Sequence, residues 1–374
     1  MNRNVKFWLL ALSVLPLTFV AGKVYSNIGE SEPVSGTASS VDIAPMIVNG
    51  TNASISDFPS FVSLFIDSLE YDGRYSSGAY CGGTLLDSRH VMTAGHCLSS
   101  YNSYDQGAVL FTSAVAGLEN ENDFLNAEKR RAEAVFFHPN FENNITKLLP
   151  NDIAIIRLES PISGGSAVTR ATAVESEQYR SRLASFVALG HGNVESGVEG
   201  TSILQRADLF WVTNLTCANN FTNGNYLTDK QICFSGSKSV ANGLKAGTCQ
   251  GDSGGPIYWN DNGAFKQVGI TSFGPAECGD AASAVTSAYT EIADYASWID
   301  SVLSGQRTPT VIVTEQDRID YLGVNGRVIF QGGSTTTGGG DGGGGALSWW
   351  LSLSLMSLGW MRRRHNRPLY SIKN

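Results

Sequence analysis

Charge is scarce in this chain: Asp, Glu, Lys and Arg together make up 16 % of its 374 residues, and the balance is acidic, with a formal net charge of −8. A nucleic-acid partner needs a basic face to neutralise phosphate, so that class of function is excluded. Histidine is scarcer still, at five copies: His90, His96, His138, His191 and His365. No Cys-x₂-Cys pair or clustered His–Cys spacing occurs, which argues against a zinc site. The N-terminal apolar stretch, Phe7 to Val20, is shorter than the roughly 20 residues of a spanning helix.

What is present is glycine, at 41 residues, and aromatics at 10 %, a composition that suits a β-rich core with many turns. From Ile47 onward, short apolar runs are separated by turn residues. They are Phe61 to Ile66, Gly83 to Leu86, Arg89 to Met92, Val109 to Phe111, Ala134 to Phe137, Ile153 to Leu158, Phe186 to Leu189, Leu209 to Val212 and Val268 to Ile270. Strand-sized runs without helical periodicity between them predict an antiparallel sandwich or barrel. One helix closes the region, where Ile292, Tyr295, Ile299 and Val302 recur at steps of three and four beside Trp298.

Residues 1–22 read as a secretory signal: Arg3 and Lys6, the apolar run, then Ala21-Gly22. A membrane anchor is the alternative, and the run is short for it. Residues 23–46 form a polar, serine-rich leader with little to bury. Export places Cys81, Cys97, Cys217, Cys233, Cys249 and Cys278 in an oxidising compartment, where an even count implies three disulfides among 15 possible pairings.

The richest chemistry lies in Gly247-Thr248-Cys249-Gln250-Gly251-Asp252-Ser253-Gly254-Gly255-Pro256. A serine among glycines can be presented together with neighbouring N–H groups at one point, the geometry that stabilises an oxyanion beside a nucleophile. A serine hydroxyl needs a base. His96 follows a strand in Thr93-Ala94-Gly95-His96-Cys97, and Asp152 opens an apolar strand in Asn151-Asp152-Ile153-Ala154-Ile155. A structural histidine and a turn cap are the plainer readings. The three positions are far apart, so only tertiary folding could assemble them.

With these motifs in this order, together with Ile47-Val48-Asn49-Gly50, Cys81-Gly82-Gly83-Thr84-Leu85, Ser272-Phe273-Gly274, Cys278 and Tyr289-Thr290, the chain resembles a trypsin/chymotrypsin-family serine protease over residues 47–303. The resemblance implies an all-β fold of two six-stranded antiparallel barrels with a short C-terminal helix, the site lying between them. It implies that Ser253 is the nucleophile, His96 the general base, Asp152 the group fixing the imidazole, and the Gly251 and Ser253 amides the oxyanion hole. It implies the disulfides Cys81–Cys97, Cys217–Cys233 and Cys249–Cys278. It implies a monomeric endopeptidase without cofactor or metal, acting on proteins or peptides. A catalytically silent binding or adhesion protein on the same fold is the alternative of another class.

The family also implies a zymogen in which Ile47, freed by cleavage, turns inward to Asp252. Met46, rather than Arg or Lys, precedes the cut. The specificity pocket would be bounded by Gly247, Ser272, Gly274 and Ser287, and Gly247 stands where trypsin-like members carry aspartate. An uncharged floor favours an apolar P1 residue, chymotrypsin- or elastase-like. A basic P1 recruited by Glu277 or Asp280 is the competing reading.

Residues 304–345 read as a linker and glycine-rich spacer. In 346–374 an apolar run, Ala346 to Trp360, precedes Arg362, Arg363, Arg364 and Arg367. This tail resembles the bacterial glycine-glycine C-terminal sorting signal. The likeness implies transient inner-membrane anchoring, removal by an intramembrane protease, engagement of secretion machinery and delivery to the cell surface or medium. A permanent tether is the rival. The acidic stretch Glu119 to Asp123 is read as a solvated loop rather than a calcium site. Asn52, Asn144, Asn214 and Asn220 head Asn-x-Ser/Thr sequences.

Overall fold

The computed structural model describes residues 47–100, 103–198 and 202–330. The signal segment, the leader through Met46, the glycine spacer and the apolar, arginine-rich tail expected above lie outside the described residues.

The first barrel comprises β1 (Phe61–Ser68), β2 (Cys81–Leu85), β3 (His90–Thr93), β4 (Thr112–Ala116), β5 (Lys129–Phe137) and β6 (Ala154–Leu158). They lie in the order β6-β3-β2-β1-β4-β5, and β5 pairs back with β6. The second comprises β7 (Phe186–Gly190), β8 (Gln205–Val212), β9 (Gln231–Gly236), β10 (Pro256–Asp261), β11 (Ala264–Phe273) and β12 (Ser287–Glu291). Their order is β8-β7-β10-β11-β12-β9, closed by β9 on β8. The result is the expected pair of six-stranded antiparallel barrels. Closure removes the free edges that open sheets expose.

Burial on both faces explains why several strands read as continuous apolar runs. Every residue of β1 is buried, including Ser63, Asp67 and Ser68. The second core gathers Phe186, Phe234, Ile257, Trp259 and Tyr289, with Ile47 among them. Helix α2 (Ala296–Leu303) is the expected closing helix; its Trp298, Ile299 and Val302 join the core cluster of the first barrel.

Two expectations are corrected. Val109 to Phe111 ends a helix, α1 (Gln106–Phe111), because the Asp105 side chain accepts the Ala108 N–H at 3.1 Å and caps it. Residues 304–330, read as part of a spacer, hold a short strand β13 (Val311–Ile312) and helix α3 (Glu315–Asn325). There Thr314 and Asp317 form a capping box whose local signal lay in a polar stretch.

Candidate active site

His96 sits on a short turn, Gly95–Leu98, directly after β3. The next residue, Cys97, is bonded to Cys81 at the start of β2, so the turn is tied at its base. Asp152 lies just before β6 and is fully buried. Its Oδ2 is 2.7 Å from His96 Nδ1, and its Oδ1 accepts the His96 backbone N–H at 2.8 Å. Two contacts to one residue fix both the ring and the turn. Burial pulls the imidazole's pKa down, and the Asp152 charge and hydrogen bond more than offset it, so His96 titrates above its ordinary value.

The second barrel grips Asp152 as well. Ser272 donates its hydroxyl to Asp152 Oδ2 at 2.5 Å, and Thr290 donates to the Asp152 carbonyl at 2.8 Å. Ser272, expected as a pocket wall, directs its hydroxyl to the buried acid. The pairing of β11 with β12 slips between Thr271 and Phe273, making Ser272 the extra residue of a bulge that re-aims its side chain.

Ser253 lies on the turn leading into β10. Gly82 N–H donates to the Ser253 carbonyl at 2.7 Å. Gly254 has φ +76°, and a Cβ there would stand 2.2 Å from Thr93 Oγ1 and 3.2 Å from the Ala94 amide nitrogen. The serine turn is therefore docked on the end of the strand that leads to His96. Asp252, Gly254 and Gly255 donate their amides to Cys249, Thr271 and Asp252 carbonyls, respectively. The Gly251 and Ser253 amides donate to no oxygen among the described residues. Two unused donors flanking a serine are what an oxyanion requires.

Asp252 points away from solvent. It accepts from the Gly192 amide at 2.9 Å and the Cys249 amide at 2.8 Å. Gly190 and Gly192 pack on it so tightly that a Cβ on either would fall within 2.7 Å of the carboxyl. Burial lifts its pKa to about 7 against those two donors. Ile47 is buried, with its amide donating to the Gly192 carbonyl at 3.3 Å. Two further titratable groups are buried, and one of them, Glu121, corrects the reading of Glu119 to Asp123 as a solvated loop. Glu121, accepting from Ala79 N–H at 2.6 Å, is raised to about 8 by burial, with the Asp252 charge adding. His191, between the two glycines, is held near 4 by burial. The repeated glycine in Gly190-His191-Gly192 was the available signal.

In the expected pocket, Gly247 abuts Thr286 and Ser287, and Gly274 lies beside the Thr286 carbonyl. Thr248 donates its amide and hydroxyl to Ser287 Oγ at 3.0 and 2.7 Å. Glu277 is exposed, and Asp280 accepts from the Ala282 amide at 2.8 Å. A cavity of about 430 Å³ is lined by Asp280 and Gly274, but by neither Gly247 nor Ser287. The disulfides are Cys81–Cys97, Cys217–Cys233 and Cys249–Cys278, as the resemblance implied. Among the described residues, the one close His/Cys/Asp/Glu group is Cys81, His96 and Cys97. Its cysteines are bonded to each other, so it offers no thiolate to a metal. No described helix is long and apolar enough to cross a membrane.

The two closed barrels, the buried acid–histidine pair and the serine turn docked beside it define a class. The chain belongs to the trypsin family, which it matches over residues 47–299, and is a serine endopeptidase. It is 31 % identical over 286 residues to a trypsin-like protease of Streptomyces glaucescens, covering 76 % of this chain and 91 % of that one. It is 28 % identical over 258 residues to chymotrypsin-like elastase family member 1 of Bos taurus, covering 69 % and 90 %. Among solved structures, mouse neuropsin superposes with a TM-score of 0.54 at 23 % identity, over 69 % of this chain and all of that one. The secreted serine protease VesC of Vibrio cholerae gives 0.52 at 23 % identity over 68 % of this chain. This chain spans about half of VesC, 48 % of its length.

Proposed function

We propose that Ser253, His96 and Asp152 carry out acyl-enzyme hydrolysis of peptide bonds. Ser253 Oγ attacks the carbonyl carbon while His96 takes the hydroxyl proton. Asp152 holds Nδ1–H, so that Nε2 is the basic nitrogen, and the Gly251 and Ser253 amides receive the oxyanion. His96 then returns the proton to the leaving amine, and water repeats the sequence on the ester. The observation that carries this reading is the pair of unspent amides beside Ser253, on a turn docked against the strand that leads to the His96–Asp152 pair. A fluorophosphonate should label the processed protein and fail to label Ser253→Ala. An unlabelled wild type favours the silent binding protein.

The pocket reading is apolar P1. Gly247 and the Thr248–Ser287 hydroxyl pair, none of them a carboxylate, support this reading, and elastase relatives are in keeping with it. Hydrolysis of a succinyl-Ala-Ala-Pro-Phe amide should exceed that of a benzoyl-Arg amide; the reverse order would assign the role to Asp280 or Glu277. A zymogen cut after Met46 follows from the same preference, because a related apolar-specific protease could make that cut. Three disulfides fit an exported protein. For the tail we infer sorting and removal; an intact Trp349-Trp350 peptide at the mature C-terminus would indicate the permanent tether.

A further inference from the structure

The family match stops at residue 299, yet the chain stays packed through Phe330. Beyond α2 it returns to the first barrel. Strand β4 pairs with β5 at Lys129 to Arg131, and β13 takes up the same edge further along, with Val311 opposite Val135 and Ile312 opposite Ala134. The Thr310 and Val313 amides donate to Val135 and Glu133 carbonyls, each at 2.8 Å. Between the two pairings, Arg318 of α3 is 5 % exposed and donates Nε to the Leu110 carbonyl at 2.8 Å and Nη2 to the Ala132 carbonyl at 2.7 Å. One buried guanidinium thus joins the last turn of α1 to β5, through a fork that a lysine cannot reproduce.

The end of this segment presses on the histidine's supports. The Phe330 ring meets Tyr80 edge-on at 5.5 Å, and Tyr80 precedes Cys81 of the Cys81–Cys97 bridge. The Ile329 carbonyl lies so close to Gly107 of α1 that a Cβ there would be 2.0 Å from the oxygen. Helix α1 in turn hangs from the histidine turn, with Asp105 N–H donating to the Leu98 carbonyl at 3.0 Å. The bonds to Asp152 hold the ring and one backbone amide of the turn, and this segment packs on the other supports of that turn, the Cys81–Cys97 bridge and α1.

We propose that residues 306–330 are a strap that positions His96, with Arg318 and Phe330 as positioning residues acting through α1 and the Cys81–Cys97 bridge. The proposal rests on His96 being the general base. The test uses the processed full chain carrying Arg318→Met, Arg318→Lys or Phe330→Leu. Phe186→Leu, in the second barrel, serves as a control that destabilises without touching the strap. Thermal midpoint, kcat, KM and fluorophosphonate labelling rate are measured well below every midpoint. Arg318→Met should lower kcat and labelling on the order of 10- to 100-fold with KM little changed, since a misplacement of about 1 Å can have that effect. Arg318→Lys should recover part of the loss, and the milder Phe330→Leu should move kcat in the same direction. If the strap variants lose midpoint but keep kcat and labelling as Phe186→Leu does, the strap is a stabiliser only and the proposal is overturned. If Arg318→Met does not fold, Phe330→Leu decides by the same criterion. A wild type that is never labelled overturns the reading of the site itself, a different result from a selective loss in the variants.

Discussion

Asp252 is a carboxyl group sealed among glycines, and among the described residues no cation forms an ion pair with it. A buried carboxylate in that state weakens the fold unless it takes up a proton. Its folded value of about 7 stands above the roughly 3.9 of an unfolded chain. The folded chain therefore holds a proton that the unfolded chain has released. Its share of stability is full below about pH 4 and is lost as pH rises toward 7. Glu121, near 8, acts with the same sign over a slightly higher window, whereas His138 and His191, held near 4, act oppositely on the acid side. The clean measurement is a difference between variants. In urea denaturation of the uncleaved chain, Asp252→Asn should gain on the wild type between pH 5 and pH 8, by up to a few kcal/mol at one kcal-scale step per pKa unit. A gap that stays level over that range would mean the carboxyl is not lifted.

At the scale of elements, the serine turn and the histidine strand act as one unit. Gly254 joins them: its φ of +76° and its position against Thr93, Ala94 and the Gly82 carbonyl leave no room for a methyl group. Gly254→Ala should move the turn rather than unfold a barrel, lowering kcat/KM on the order of 100-fold, as an ångström-scale displacement can. Wild-type kinetics in that variant, on an amide substrate, would separate the turn from the chemistry. This docking was only half legible beforehand. The motifs around His96, Asp152 and Ser253 stand out because each concentrates unusual residues in a few positions. Strands β1, β6 and β7 stand out because their burial leaves nearly unbroken apolar runs, with Ser63 interrupting Phe61 to Ile66 and Arg157 interrupting Ile153 to Leu158. Strands β9, β10 and β12 carry no such run, since polar residues interrupt them and their burial comes from barrel closure. The aim of Ser272 depends on a bulge, and the role of Arg318 on carbonyls far away in sequence. Neither has a local pattern.

On the scale of the molecule, both barrels contribute to each half of the site, so a change at the Ile47 end can be felt at the other. Ile47 already lies in the second core, beside Gly192, whose amide holds Asp252. Cutting before Ile47 would turn its amide nitrogen into an ammonium with an ordinary value of about 7.7–8.0. If that ammonium pairs with the Asp252 carboxyl, the signs reverse. The acid is pulled down from about 7 and stays charged, and the amine is pulled up and stays charged to higher pH. The pair then holds while the amine keeps its proton and is lost as pH rises through the amine's raised value. Because the same Gly192–Asp252 contact abuts Gly251, a lost pair should appear first as a loosened oxyanion site. A chain cleaved there should therefore lose kcat/KM reversibly only as pH rises past the amine's raised value, beyond the ordinary range of about 7.7–8.0, while its fold persists by circular dichroism. Asp252→Asn should lower activity below that pH and remove this alkaline limb. Equal activity before and after cleavage, or an unchanged limb in Asp252→Asn, would place the trigger outside this contact.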